Sequence, residues 1–430
     1  MNPLSRINSL LALLLVAGAC SRQAPDVRII PEPAKMTIEP KMVNFPAGRK
    51  VYLSSGDSAL LSTAEYLCKR LNYSEIGYGS DHLGHCIYLE IKELDFSNNP
   101  EAYTLVTGKE GVVIKGNNAR GVFYGIQSLL QLLSPEVYGE SGLIKNTGIR
   151  IPQVSIEDEP RFPWRGMQMD AGRHAYPLEF IRKYIDLLAM HKMNVLYWRP
   201  AEDQVDEVRK YADSRFIGLN PEIKMTDRVA VLSPDEYCNL SYYQGDPNIE
   251  PRAMFGYLPI EKVYSYEPAP EVLSTEETKQ VLGAQGKMKL DYMPDAGLVE
   301  YMLAPRISAL AEVLWTQRNL RDYEKFAHRM VRQYERFDQM QVNYRVPPPV
   351  TTVTNFAFTD SLVLDLHHSV TGGEILYTTD GSDPLSSGIK YSQPLHIKET
   401  ATVKTITRMK SGHASLPVEI RTERLKLPSK

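Results

Sequence analysis

The hydrophobic and polar positions between residues 164 and 198 change from a period of two to the period of a helix. Met167 and Met169 alternate with small and polar residues as in a β-strand, and the run stops at Asp170. Apolar residues then recur every three or four positions, which predicts an amphipathic helix that ends at Asn194. A short run of β-forming residues follows and ends at Trp198. The length of the unit is typical of a βαβ crossover, so the two strands are predicted to be parallel.

Polar side chains follow the carboxyl ends of both predicted strands. Asp170 and Arg173 come after the first strand, and Glu202 and Asp203 come after the second. In parallel sheets, ligands bind beyond the carboxyl ends of the strands. We therefore expect these four residues on one face of the sheet, as candidates for substrate binding.

The same patterns divide the rest of the chain into units. Residues 27–157 alternate strands with amphipathic helices, the last of them near Asn118 to Leu133, and predict an α/β domain. Residues 158–343 hold the strand, helix and strand unit and further helices. Three prolines at 347–349 mark a linker, and residues 350–425 alternate apolar and polar positions around turn signals, as in a small β-domain. The fold class predicted for the chain is α/β with a C-terminal β-sandwich.

Composition narrows the classes of partner. The 430 residues include 49 basic and 52 acidic side chains, and a net charge of -3 lacks the basic footprint of a nucleic-acid-binding protein. Cys68, Cys86 and Cys238 are an odd number without C-x-x-C spacing, so neither a disulfide framework nor a metal site is predicted, and no cofactor is implied. Buried free thiols are expected, and a bridge between Cys68 and Cys86 stays open.

The first twenty residues predict export. Arg6 precedes the apolar run LLALLLVAGA, which is too short to cross a bilayer and is followed by polar residues, as in a secretory signal peptide. Ala17, Gly18 and Ala19 lead into Cys20, and this pattern resembles the lipobox of bacterial lipoproteins. Residues 1–20 are therefore predicted to be a lipoprotein signal peptide, with Cys20 as the lipidated residue and a membrane as a partner on the periplasmic or cell-surface side. An ordinary cleaved signal with an incidental cysteine is the alternative.

The segment from Trp164 to Trp198, with Asp170, Arg173 and His174 as a D-x-x-R-H signature, resembles the start of the catalytic barrel of β-N-acetylhexosaminidases, glycoside hydrolase family 20. The stretches YYQGDP, GYLPIEKVYSYEP, GAQG and PRISALAEVLWT extend the resemblance over most of the chain beyond residue 27. It implies an accessory α/β domain, a (β/α)₈ barrel and a chitobiase-like C-terminal domain. A (β/α)₈ barrel usually takes about 250 residues. Because the region available has only about 185, the barrel is predicted to be incomplete.

The chemistry of the family requires two adjacent carboxyl groups. The acetamido oxygen of the sugar attacks its own anomeric carbon, a Glu protonates the leaving oxygen, and the preceding Asp stabilises the charged acetamido group. Asp-Glu dipeptides occur here at 158, 206 and 235, but none follows a Gly-Gly or ends a hydrophobic strand. All three are interpreted as solvated or helix-capping charges. The sequence predicts that a block with the third and fourth strands is absent between Gln204 and Val205.

Other positions that the resemblance makes functional also depart from the family pattern. Arg173 matches the arginine that grips the hydroxyls of the terminal sugar, although a salt bridge to Asp170 or Asp203 is an equal alternative. His174 is interpreted as structural. Glu202 replaces an acid of the second strand, and Asp291 shortens a hydroxyl-binding acid. Further changed positions are Leu219, Asn220, Pro221, Asn239, Ser241 and Lys289.

Three functional hypotheses follow. The first is a retaining exo-β-N-acetylhexosaminidase that releases terminal GlcNAc or GalNAc from glycans, although the missing Asp-Glu pair argues against activity. The second is a non-catalytic lipoprotein that binds glycans or acts as a scaffold. Its candidate sugar-stacking residues, which could equally be packing residues, are Tyr242, Tyr243, Tyr257, Tyr264 and Tyr266. In the C-terminal domain, Tyr377, Asp380 and Tyr391 are candidates for sugar contact, although turn and packing roles are favoured for them. The third is an internally deleted gene product with open strand edges.

Overall fold

A computed structural model describes residues 24–45, 50–79, 86–140, 142, 149–170, 176–198, 205–222 and 229–426. Arg173, His174, Glu202, Asp203 and Cys20 lie outside these ranges. The described residues form an N-terminal α/β unit, a central unit around a parallel sheet, and a C-terminal β unit.

The N-terminal unit is a seven-stranded mixed sheet in the order β1-β7-β5-β6-β4-β2-β3, with two helices packed on it. Helix α1 begins after Asp57, whose carboxylate accepts the backbone N–H of Leu60, and ends at Asn72 in the left-handed conformation. The predicted helix near 118–133 is observed as α2. The elements are β1 Lys35–Phe45, β2 Val51–Leu53, α1 Ser58–Leu71, β3 Ile76–Tyr78, β4 Cys86–Ile91, β5 Tyr103–Gly108, β6 Gly111–Gly116, α2 Ala119–Leu132 and β7 Ile149–Asp158.

The central unit contains five parallel strands in the order β10-β9-β8-β14-β11. Strand β8 and helix α3 confirm the predicted strand and helix, and β9 pairs in parallel with β8 as expected. The elements are β8 Trp164–Asp170, α3 Leu178–Met190, β9 Val195–Trp198, α4 Val205–Asp213, β10 Gly218–Leu219, β11 Ala230–Leu232, α5 Asp235–Cys238, β12 Tyr242–Tyr243, β13 Met254–Tyr257, α6 Ile260–Tyr264, α7 Thr275–Gln280, β14 Val281–Lys289, α8 Ala296–Leu303, α9 Arg306–Trp315 and α10 Tyr323–Gln339.

The prediction that helix α3 ends at Asn194 is wrong. The helix ends at Met190, because Lys192 adopts a left-handed conformation with φ of 56°. Asn194 instead connects two strands, since its side-chain oxygen accepts the backbone N–H of Arg165 at 2.9 Å. A tertiary contact thus takes the place of the predicted helix end.

The α/β fold class is confirmed, and within the described ranges the parallel sheet remains open. Strand β10 lies directly beside β9, with Gly218 opposite Val195 and Leu219 opposite Leu196. The two edge strands, β10 and β11, do not pair with each other in the part of the chain that the structure describes. The predicted incomplete barrel therefore takes the form of an open sheet of five strands.

A buried polar cluster holds the N-terminal unit against the central unit. The carboxylate of Asp158 accepts hydrogen bonds from Lys192 Nζ at 2.9 Å, Tyr103 Oη at 2.5 Å and Trp315 Nε1 at 3.0 Å. The side chains of Asp158 and Lys192 are fully buried. Because each charge has a partner and several hydrogen bonds, the cluster avoids the cost of an isolated buried ion.

The C-terminal unit has a five-stranded sheet, β15-β21-β20-β17-β18, and a two-stranded sheet, β16-β19, around a small apolar core. It contacts the central unit through His413, whose ring stacks on Tyr344 with centroids 4.3 Å apart. Its elements are β15 Ala357–Phe358, β16 Leu362–Leu364, β17 Glu374–Thr378, α11 Pro384–Ser387, β18 Ile389–Lys390, β19 Leu395–Ile397, β20 Ala401–Arg408 and β21 Val418–Arg424.

Candidate functional site

The carboxyl edge of the parallel sheet gathers the candidate residues that the structure describes. Asp170, the last residue of β8, lies opposite Lys289, the last residue of β14. Asp291 follows in a single 3₁₀ turn and is exposed. Two of the predicted substrate-binding residues therefore lie at one edge of the sheet, Asp170 at the end of β8 and Asp291 in the turn after the neighbouring strand β14. The placement of Arg173, Glu202 and Asp203 stays a prediction.

The two faces of the sheet have different surroundings. Met167 and Met169 of β8 and Met288 of β14 are fully buried, and Tyr184 of α3 contacts the sulfur of Met288. On the other face, the rings of Trp164 and Tyr197 stack with centroids 6.1 Å apart, and polar side chains follow them toward the carboxyl edge. These polar residues are only partly buried or exposed: Gln168, Asp170, Gln285, Lys287 and Lys289. This open face is where side chains of a closed barrel would pack.

Asp235 is the only aspartate of an Asp-Glu pair that closely follows a parallel strand in the described part of the chain. It begins helix α5, three residues after β11, and its carboxylate forms an ion pair with Lys287 on the open face. The hydrogen bond from Lys287, together with its positive charge, lowers the pKa of Asp235. The general acid of such a pair would be Glu236, which is exposed, whereas a catalytic acid of raised pKa is normally held in an apolar pocket.

The other two Asp-Glu pairs are also engaged elsewhere. Asp158 lies in the buried cluster with Lys192, and the Glu159 side chain accepts a hydrogen bond from Ser97. Asp206 and Glu207 are exposed in the first turn of α4, where acids favour the helix dipole. The interpretation as solvated charges agrees with the exposure of Asp206 and Glu207 and is wrong for Asp158, which is fully buried because Lys192 pairs with it.

Asn239 and Ser241, which match family residues that hold the acetamido group, are fully buried. The Asn239 side-chain oxygen accepts the backbone N–H of Ser241 at 3.2 Å. The hydroxyl of Ser241 accepts the backbone N–H of Lys289 at 2.7 Å. The Ser241 side chain therefore fastens the segment before β12 to strand β14, and the Asn239 side chain shapes the turn within that segment.

Asn220 has a role that sequence reasoning missed. Its side-chain oxygen accepts the backbone N–H of Trp198 at 2.8 Å, and its side-chain nitrogen donates to the carbonyl of Trp198 at 2.7 Å. The residue sits in the left-handed region, with φ of 48°, directly after β10. These contacts extend the pairing of β10 with β9 by one residue. The only signal for them in the sequence is the asparagine that directly follows β10.

The candidate aromatic residues differ in accessibility. Tyr264 and Tyr266 are buried, so the hypothesis that they stack on sugars is wrong. Tyr264 donates to Glu312 at 3.0 Å, and Tyr266 stacks on Tyr237. Tyr242 and Tyr243 are partly buried, whereas Tyr257 is 59% exposed.

In the C-terminal unit, the packing interpretation of the candidate residues agrees with the structure. Tyr391 donates its hydroxyl to Asp365 and packs edge-on against Tyr377. Asp380 accepts the backbone N–H of Ser382 within a turn.

Other chemical features of the described residues are limited. The three cysteines in these ranges are buried, Cys68 and Cys238 with free thiols, and burial raises the pKa of Cys238 to about 12. The described residues contain no group of three or more His, Cys, Asp or Glu side chains that is arranged to hold a metal ion. Among the helices that the structure describes, none is both long enough and apolar enough to cross a membrane.

Comparison with known protein families defines the class as sugar-cleaving enzymes. The profile described as glycosyl hydrolase family 20, domain 2, matches residues 26–159, and the profile of the family's catalytic domain matches residues 162–205 and 220–318. A third profile, Fn3 associated, matches residues 364–418. The chain belongs to glycoside hydrolase family 20, whose members are β-N-acetylhexosaminidases.

Similar proteins span different shares of the chain. A beta-hexosaminidase of Porphyromonas gingivalis is 25% identical over 608 positions, covering 96% of this chain and 78% of the relative. Because the chain has only 430 residues, the relative contains stretches that the chain lacks. Beta-hexosaminidase B of Pseudoalteromonas piscicida is 30% identical over 202 residues, which are 45% of this chain and 24% of that protein.

Solved structures support the fold. The family 20 β-N-acetylhexosaminidase of Streptomyces coelicolor A3(2) superimposes with a TM-score of 0.64 at 17% identity, covering 75% of this chain and 98% of that one. The β-N-acetylhexosaminidase of Bacteroides fragilis gives a TM-score of 0.60 at 15% identity, covering 74% and 96% of the two chains.

Proposed function

We propose that this chain binds glycans that end in a β-linked N-acetylhexosamine and does not hydrolyse them. The observation that carries the proposal is the direct pairing of β10 with β9, which leaves no place between them for a strand with an acid pair. Membership of family 20 supports the glycan as the ligand. Asp170 and Asp291 at the carboxyl edge supply acceptors for sugar hydroxyls, and Arg173 supplies donors.

The proposal that the chain does not hydrolyse glycans rests on what the reaction requires. Substrate-assisted cleavage needs a protonated carboxylic acid at the leaving oxygen and a carboxylate at the acetamido nitrogen. In the described residues, the Asp-Glu pair nearest to the parallel sheet is exposed, and its aspartate is held in an ion pair with Lys287. General acid catalysis alone contributes about 10²- to 10⁴-fold, so a chain without it retains little activity.

Family membership favours a second candidate function, that of a retaining exo-β-N-acetylhexosaminidase. In this case, an acid outside the pattern of adjacent Asp and Glu would take the role of the proton donor. In the sequence, the candidates for this proton donor are Asp170 and Glu202, which follow the first two strands of the parallel sheet. The two functions share a ligand and differ in turnover, so one pair of assays separates them.

Titration of the purified chain with methyl β-N-acetylglucosaminide tests the binding. We expect saturable binding that the matched methyl β-glucoside does not reproduce and that Arg173→Ala abolishes. Turnover of an aryl β-N-acetylglucosaminide, measured on the same samples, separates binding from hydrolysis. Binding without turnover supports the proposal, whereas turnover that is lost in Arg173→Ala favours the hydrolase. Equal binding of both glycosides contradicts the proposed ligand.

We also propose that the chain is an exported lipoprotein, anchored through Cys20. The apolar run before the small residues at 17–19 supports this proposal. The test is incorporation of labelled fatty acid into the full chain, with Cys20→Ser as the variant. Label retained in the variant contradicts lipidation at this residue.

A further inference from the structure

Strand β13 exposes two aromatic rings on the same side. Phe255 is 96% exposed and Tyr257 is 59% exposed, whereas Gly256 between them faces inward and its backbone packs against the ring of Tyr242. A Cβ atom at Gly256 would lie 2.5 Å from that ring. The packing therefore fixes the orientation of the strand and holds both aromatic side chains outward. Single exposed apolar residues are common, but two exposed rings side by side on one strand indicate a contact surface.

Strand β13 begins near the carboxyl edge of the parallel sheet, because the Ser241 carbonyl accepts the N–H of Met254 and the Ser241 hydroxyl accepts that of Lys289. The guanidinium group of Arg252, two residues before β13, lies 5.9 Å from the centre of the Tyr292 ring. Tyr292 follows Asp291, the candidate that binds sugar hydroxyls. A ligand bound at the edge can thus extend from Asp291 along Phe255 and Tyr257.

The strand leads into a cleft of about 580 Å³ between the central unit and the C-terminal unit. The cleft is lined by Tyr257 and Pro259 of the central unit, by the prolines at 347–349, and by Phe356 and Glu419 of the C-terminal unit. This volume lies within the range of roughly 300–1,000 Å³ that is typical of ligand pockets. The lining is largely apolar, with a few polar groups, as in sites that hold an uncharged ligand.

The polar groups of the cleft favour a ligand that donates hydrogen bonds. Its charged residues are four acids and one arginine: Asp246, Glu250, Glu261, Glu419 and Arg345. Arg345 pairs with Glu250 at 2.6 Å, and Glu419 pairs with Arg421 at 2.8 Å. The remaining acids, Asp246 and Glu261, give the cleft a negative charge that disfavours anions. Asp246 accepts two hydrogen bonds from Asn248, both on one oxygen, and a carboxylate has further acceptor capacity.

We infer that the cleft and the exposed face of β13 bind the inner sugar units of a neutral oligosaccharide whose terminal sugar lies at the carboxyl edge. The apolar C–H faces of pyranose rings stack on Phe255 and Tyr257, and sugar hydroxyls donate to Asp246. The inference rests on the proposed function, because it extends the same ligand beyond its terminal unit. It assigns to the chain a preference for long glycans over single sugars.

The experiment compares N-acetylglucosamine oligomers of one and four units, linked β-1,4, in calorimetric titrations of the full chain. We expect the tetramer to bind more tightly than the monomer. Phe255→Ala and Tyr257→Ala should each weaken tetramer binding about tenfold and leave monomer binding unchanged. Tyr257→Phe keeps the ring and should retain most of the affinity. Val272→Ala, at a residue that is 86% exposed outside the cleft, is the matched control and should bind as the unmodified chain does.

Equal affinity for monomer and tetramer in the unmodified chain would overturn the inference, as would alanine variants that bind the tetramer as tightly as Val272→Ala. Failure of the proposed function has a different outcome. If the monomer does not bind and Arg173→Ala has no effect, but tetramer binding still depends on Tyr257, the edge site fails and the cleft stands. Thermal unfolding of every variant shows whether a loss of binding reflects a loss of folded protein.

Discussion

The parallel sheet presents one face to helices and to the N-terminal unit, and the other face to the space that a closed barrel would fill. On the first face, Met167 is fully buried, and Asp158 and Lys192 pair in the adjoining cluster. On the second, Gln168 is only partly buried, and the ion pair of Lys287 with Asp235 is open to solvent. Parallel sheets are normally covered on both faces.

The two faces of the parallel sheet differ in how much of the family architecture surrounds them. The outer face of the sheet, which carries Met167 and Met169, keeps its packing because α3, α9 and the N-terminal unit are all present. On the opposite, inner face, the described side chains of Gln168, Gln285 and Lys287 are only partly buried, and β9 is followed in the sheet by β10. Stability should therefore depend on the outer face, and ligand binding on the carboxyl edge and its surroundings.

The largest effect is expected from Asp158→Asn, which removes the charge opposite Lys192 in a fully buried site. Breaking a buried ion pair by removing one partner costs about 3–5 kcal/mol. The free energy of unfolding, measured by urea denaturation, should fall by this amount. Glu276→Gln, which breaks an exposed pair with Lys279, is the control and should change stability by less than about 1 kcal/mol. Equal losses in the two variants would contradict the importance of the cluster.

Two consecutive residues of β8 test the difference between the faces directly. Met167→Ala creates a cavity on the covered face and should lower the free energy of unfolding by about 2–5 kcal/mol. Gln168→Ala changes the open face and should alter it by about 0.5 kcal/mol or less. Denaturation of both variants under one condition gives the comparison. A loss for Gln168→Ala as large as that for Met167→Ala would mean that the inner face is covered.

His191 gives the outer face a pH dependence. Burial lowers the pKa of His191 to about 4, and its ring contacts Leu187, Ser308 and Gln333. An unfolded histidine has a pKa near 6.5, so the unfolded chain binds the proton first as the pH falls. The contribution to stability is complete above about pH 6.5 and is lost progressively toward pH 4, by roughly 3 kcal/mol.

Denaturation between pH 7 and pH 4 checks this prediction. His191→Gln should show a smaller decrease in stability across the interval than the unmodified chain. His396→Gln, at an exposed position of β19, should keep the original slope. Identical slopes for the two variants would show that His191 does not titrate as described.

The smallest effect is expected on the open face. Asp235→Asn removes the charge that pairs with Lys287, at a site where the two side chains are 50% and 25% exposed. Exposed ion pairs contribute about 0.2–1 kcal/mol, so the change should lie in this range and shrink in high salt. A loss of several kcal/mol, measured by the same denaturation, would place the pair in a buried environment.

Local sequence patterns were sufficient to predict the helices and strands. They did not predict contacts between residues that are far apart in the sequence. The periodicity of residues 164–198 predicted β8, α3 and β9, because burial of one face imposes it. The end of α3 was missed because Asn194 binds Arg165 across the sheet. Tyr264 was considered for sugar stacking, but its hydroxyl is occupied by Glu312, a residue 48 positions away. The bonds of Asn220 to Trp198 depend on the register of β10 and β9, which the sequence does not reveal.

The central claim, that the chain has lost acid catalysis, is tested most directly with a substrate whose leaving group must be protonated. A β-1,4-linked disaccharide of N-acetylglucosamine meets this condition, since a sugar alkoxide is a poor leaving group. Release of the free monosaccharide by the purified full chain can be followed by NMR from pH 4 to pH 8. We predict that the unmodified chain releases no more monosaccharide than the Arg173→Ala variant does. Release by the unmodified chain that this variant abolishes would contradict it.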